Sequence, residues 1–90
     1  DEVEHLATIE DRAEVMEVTF PEGGGGGRVM DLGTPVPMLI GAVLRDDRII
    51  VPNGETVIRP GDHLYVVTVP EAVASVEEWL EDRRGRKQGE

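Results

Sequence analysis

Hydrophobic and polar positions alternate in "VMEVTF", so that Met16, Val18 and Phe20 face one way and Val15, Glu17 and Thr19 the other. That period of two predicts a half-buried strand, which Pro21 ends. "RVMDL" has room for one or two helical turns before Gly33, Pro35 and Pro37 stop them. "MLIGAVLR" is an almost unbroken apolar run of strand length, with Gly41 marking a bulge or a close backbone approach. Asp46 and Asp47 then turn the chain into "RIIVP", so the pair reads as a hairpin, although the turn lacks the glycine such turns prefer. "RPGD" predicts a type II turn, with Pro60 presetting its second position and Gly61 taking the positive φ of its third. His63 to Val69 follow as another strand. In "PEAVASVEEWLED", Val73, Val76, Trp79 and Leu80 form one stripe of an amphipathic helix, with Gly85 as its expected end.

The expected architecture is α+β: a small, mostly antiparallel sheet, a short helix after the first strand, and a C-terminal amphipathic helix packed on the sheet. Residues 15–82 would form this domain. Residues 1–14 are an acidic lead-in in which Val3, Leu6, Ala7 and Ala13 stand at loose helical spacing, fitting either a short helix or a frayed segment. Residues 83–90 read as a basic, disordered tail.

Composition narrows the function. Ninety residues support one small core, and with aromatics at 3% that core is aliphatic around Phe20, Tyr65 and Trp79. The absence of cysteine rules out disulfides, thiolate metal sites and a Cys nucleophile, and agrees with a reducing, cytoplasmic setting. No apolar run reaches the roughly 20 residues of a membrane span. The chain opens at Asp1 without a methionine, which suggests a piece of something longer. A net charge of -10, with eight acids against Arg12 in residues 1–22, disfavours nucleic acid as a partner.

The run Gly23 to Gly27 fits neither phosphate-binding motif: Arg28 stands where a dinucleotide fingerprint needs glycine, and Arg28-Val29 where a P-loop needs Lys and then Ser or Thr. It reads as a flexible surface loop. Catalysis is not expected, since Ser75 falls mid-helix and His5 and His63 lie far apart without a third partner. The acids Asp1, Glu2, Glu4, Glu10, Asp11 and Glu14 lack the spacing of a calcium loop and read as a solubilising segment, so the chain names no metal ligands.

The stretch "IGAVLRDDRIIVPNGETVIRPGDHLYVV" carries a composite pattern. An apolar strand ends in Arg45, an acidic turn leads to an Ile/Val strand closing in Pro52, and Gly54, Thr56, Ile58, Pro60, Gly61 and Asp62 precede the final strand. It resembles the C-terminal ligand-binding subdomain of RCK regulators, the TrkA C-terminal (TrkA-C) domain, over about Met16 to Leu80. The sequence departs from that family at Gly23 to Gly27, where an apolar pair usually stands. The resemblance implies a cytosolic regulatory module, attached to a potassium channel, a potassium uptake system or a cation/proton antiporter of the inner membrane. It also implies a homodimer that senses cyclic di-AMP or a metal cation between its protomers, with no cofactor. By motif, Leu39, Ile40, Arg45, Ile49, Ile50 and Pro52 would floor that cleft, apolar side chains beneath the purines and Arg45 on phosphate. The alternative is a ligand-free dimerisation or docking domain of a transporter, because Ile40, Ile49 and Ile50 would be apolar in any such sheet.

Overall fold

The computed structural model describes residues 3–23 and 25–89, with the backbone alone for 86–89. Among the described residues, seven strands run in the order β1 (Val3–Ile9), β2 (Ala13–Thr19), β3 (Gly27–Arg28), β4 (Met38–Arg45), β5 (Arg48–Ile50), β6 (Val57–Ile58) and β7 (His63–Thr68). A 3-10 turn, Val29–Asp31, follows β3, and another, Pro70–Ala72, leads into helix α1 (Val73–Gly89). The main sheet is antiparallel with spatial order β1-β2-β7-β4-β5, while β3 and β6 form a two-stranded ribbon beside it. The α+β expectation is met.

The alternation read from β2 and β7 decides which face is covered. Met16, Val18, Leu64, Val66 and Thr68 are buried beneath α1, and Val15, Glu17, Thr19, His63, Tyr65 and Val67 point to the other face, half exposed. Pairing runs on past β2, since the Phe20 amide donates to the Asp62 carbonyl at 2.8 Å and the Gly61 amide to the Phe20 carbonyl at 2.9 Å. Phe20, Leu32, Ile58, Val76, Trp79 and Leu80 complete the core.

In β4 the register slips between Ile40 and Ala42, so Gly41 is the expected bulge. The extra residue resets the alternation. Ile40 and Val43, three apart, both turn inward, and Arg45 emerges on the core side instead of the open face. Gly41 needs no positive φ, and a Cβ there would meet only the Tyr65 carbonyl at an ordinary 3.7 Å. Gly26 differs: its φ is +59, and a Cβ would lie 2.5 Å from the Ile58 carbonyl. Gly41→Ala should therefore stay within about 0.5 kcal/mol of wild type in urea unfolding, whereas Gly26→Ala should cost about 2 kcal/mol or more.

Three expectations need correction. The lead-in is neither helix nor frayed chain: residues 3–9 pair with β2, and Glu10 and Asp11, at φ 50 and 58, make the connecting turn. The glycine run is not simply a loose loop, because Gly25, Gly26 and Gly27 all take positive φ and Gly27 pairs with Ile58; Gly24 lies outside the described residues. Gly85 does not end α1, which runs through the expected tail to Gly89.

Candidate functional site

The best-built polar feature is the pair of Arg45 and Asp62. The hairpin turn at Asp46 and Asp47, with φ of 52 and 64, aligns Arg45 with Arg48, and the bulge at Gly41 directs Arg45 towards the turn before β7. Arg45 Nε and Nη2 donate to the two Asp62 oxygens at 2.8 and 2.6 Å, a bidentate fork, and Nη2 also donates to the Val57 carbonyl at 2.8 Å. The Arg59 amide donates to Asp62 Oδ2 at 2.9 Å. Asp62 is 3% exposed. Burial pushes its carboxyl up, but the hydrogen bonds from Arg45 and the Arg59 amide, with both cationic charges, outweigh it and hold the carboxyl below the usual range. The same bond to Asp62 raises Arg45.

The six residues expected to floor a cleft do not share one surface. Leu39 and Ile49, 64% and 62% exposed, lie on the open face of the sheet, where Leu39 pairs with Val67 and Ile49 with Leu44. Ile40 is a core residue and Ile50 packs against the core from its edge. Pro52 is half-buried beyond β5. Arg45 is already held by Asp62.

The open face has more to it than those two side chains. Ala7, Val15, Val67 and Leu39 form an apolar row across four strands, and Leu44 and Ile49 make a second patch beyond Ala42. Between them runs a polar strip that sequence reading missed because its members lie on separate strands. His63 Nδ1 is 3.2 Å from Glu17 Oε2 and 3.3 Å from Thr19 Oγ1. Partial burial, then the charge of Glu17 and a hydrogen bond to it, push the Tyr65 phenol up. Among the described residues, no group of three or more His, Asp or Glu could hold a metal ion, and no helix is long and apolar enough to cross a membrane.

A five-stranded antiparallel sheet, covered on one face by a C-terminal helix and bare on the other, defines a small α+β domain of the RCK C-terminal type. The chain belongs to the TrkA-C domain family, whose model matches residues 15–81. It is 36% identical over 78 residues to the Trk system potassium uptake protein TrkA homolog 2 of Methanosarcina mazei, covering 83% of this chain and 17% of that protein. The TrkA homolog 1 of the same organism is 36% identical over 52 residues, 58% of this chain and 13% of the relative. The chain thus spans about a sixth of the length of the first of these relatives. Among solved structures, an RCK domain with cda superposes with a TM-score of 0.65 at 21% identity, covering 72% of this chain and 94% of that one. The GsuK channel bound to NAD gives 0.67 at 19% identity, covering 77% and 14%. These two likenesses establish the fold.

Proposed function

We propose that the chain is the regulatory module of a cytoplasmic assembly serving potassium transport, that it works as a homodimer and that it carries no chemistry of its own. The observation that carries this reading is the bare face of the sheet. Leu39 and Ile49 stand well over half exposed there, next to Val67, Val15 and Leu44, and a second copy is the natural cover for an apolar sheet face when the one α-helix among the described residues covers the other face. Membership of the TrkA-C family and likeness to Trk uptake proteins support potassium transport as the setting and a membrane transport subunit as the partner.

Cyclic di-AMP is the first ligand to try, because a solved RCK domain was obtained with cda. Leu39, Ile49 and Pro52 would offer its bases apolar surface at the junction of two copies. A divalent cation would have to draw its ligands from both copies. The burial of Ile40 and the engagement of Arg45 by Asp62 favour the second reading, a ligand-free dimerisation or docking domain.

Sedimentation equilibrium and calorimetry separate the two. The expected result is a dimer at micromolar concentration that takes up one cyclic di-AMP per two chains. Leu39→Glu/Ile49→Glu should be monomeric and still folded, as both side chains are exposed on the protomer, with a Tm that is lower than the dimer's and no longer depends on concentration. At a hundredfold excess over Kd the ligand should stabilise the dimer by about 2.7 kcal/mol. A dimer silent to cyclic di-AMP and divalent cations leaves the ligand-free dimerisation domain, and a wild-type monomer sinks the homodimer and leaves only docking on a transport subunit.

A further inference from the structure

The end of the β4–β5 hairpin and the turn before β7 border a cleft of about 450 Å³, lined by Arg45, Asp46, Arg48, Ile50 and Arg59. Three of the chain's eight arginines meet here although its net charge is -10. Folding accounts fully for one of them and in part for Arg59, whose charge also acts on Asp62. Arg45 neutralises Asp62. Arg48 stands directly opposite Arg45 in the strand register, a like-charge pairing that works against the hairpin. Among the described residues, the side chains of Arg48 and Arg59 have no hydrogen-bond or ion-pair partner, and both are exposed. Two guanidinia with their hydrogen-bond donors unused, brought to one cleft from separate elements and one of them in a repulsive pairing, are what a ligand would explain.

We infer that this cleft is a binding site for a phosphate ester that also carries hydroxyl groups, with Arg48 and Arg59 as its phosphate ligands. Planar guanidinium forks match phosphate oxygens in pairs, and two of them, approaching from β5 and from the turn, can grip one phosphate from two sides. The second fork is well anchored. The Arg59 amide is tied to Asp62, and Pro60 fixes the next φ, so the backbone carrying Arg59 is held. Asp46 is the one acid among the residues lining the cleft, and it sets the selectivity. Its carboxylate repels a bare anion but accepts hydrogen bonds from hydroxyls, so an ester of a sugar suits the cleft better than inorganic phosphate. Half-buried Ile50 offers the organic part a small apolar surface.

The site is independent of the dimer reading. By strand register Arg45 and Arg48 lie on the core side of the sheet, whereas Leu39 and Ile49 lie on its open face. Either proposal can therefore fail without the other.

Titration of the whole chain with ribose 5-phosphate and with inorganic phosphate, at constant ionic strength and followed through the arginine Nε–H NMR signals, tests the inference. Arg48 and Arg59 should shift saturably, and ribose 5-phosphate should bind more tightly than phosphate. In Arg48→Gln/Arg59→Gln, with an unchanged Tm, the affinity followed through backbone amides should fall at least about tenfold. Asp46→Asn should narrow the preference for the sugar ester. Shifts reproduced by sodium chloride alone, no saturation at millimolar ligand, or unaltered affinity in the double variant would each overturn the site.

Discussion

Replacing Asp62 with alanine should lower the unfolding free energy by about 3 kcal/mol, the low end of the range for breaking a buried ion pair, because Arg45 keeps 20% of its side chain in water. In a domain of this size that is a fall in Tm of roughly 12–24 °C. The loss is large because the carboxylate has three jobs. It neutralises Arg45, accepts the Arg59 amide and so closes the turn that launches β7. Asp62→Asn keeps an acceptor of the same shape and should fall between alanine and wild type. Arg45→Ala should cost a comparable amount by leaving a 3%-exposed carboxylate with the amide of Arg59 alone. The two single losses should not add in the double variant, since each already removes the same bonds.

The pH dependence follows from the direction of the Asp62 shift. A carboxyl held below its ordinary value of about 3.9 binds its proton more readily in the unfolded chain. Its contribution to stability is therefore complete above about pH 4 and is lost as pH falls through the lower, folded value. Urea midpoints at pH 7, 4 and 2.5 should converge for wild type and Asp62→Ala only at the acid end. Parallel curves at all three would show that this pair is not what ties the hairpin to the turn.

The amino-acid sequence made the local features legible and left the long-range ones hidden. The alternation in β2, the type II turn at Arg59 to Asp62 and the stripe of α1 are each set by residues close together in the chain, and each is found as read: Gly61 has φ +90 and the Asp62 amide donates to the Arg59 carbonyl at 3.0 Å. β1 was missed for two reasons. Six of its seven residues are exposed, so no apolar period marks it, and its turn uses Glu10 and Asp11 in the left-handed region where glycine or asparagine is the usual signal. Asp46 and Asp47 do the same in the second hairpin, so acidic pairs are this chain's own turn device.

The candidate site was split for a similar reason. Whether Leu39, Ile40, Ile49 and Ile50 share a face depends on where the bulge in β4 falls, and the apolar run alone does not say. Arg45 and Asp62 were legible as separate members of a pattern, but 17 positions part them in the chain. Their bond appears only once that bulge has turned Arg45 inward.

The second large effect should come from Trp79→Ala, at about 3–5 kcal/mol, against a total of roughly 5–13 kcal/mol for ninety residues. Helix α1 reaches the sheet through few apolar side chains, with Val76, Trp79 and Leu80 buried and Ala72 in the turn before it. Trp79 is the largest of these. Its ring meets Phe20 with centroids 6.0 Å apart, tilted by 58°, and its Nε1 donates to the Leu32 carbonyl at 2.9 Å, fastening the helix to the segment after the first 3-10 turn. Trp79→Phe keeps most of the apolar contact and loses the donor. Since Arg83 also donates to the Leu32 carbonyl, that acceptor is not orphaned, and the cost should be about 1 kcal/mol. Phe20→Ala removes the other ring and should approach the cost of Trp79→Ala. Denaturation followed by far-UV circular dichroism measures all three. In the wild type, fluorescence of the single tryptophan should change at the same midpoint, because α1 leaves the sheet only when the sheet itself unfolds. A fluorescence transition ahead of the dichroism, with little loss in Trp79→Ala, would mean that the helix is a detachable cover and that the sheet stands without it.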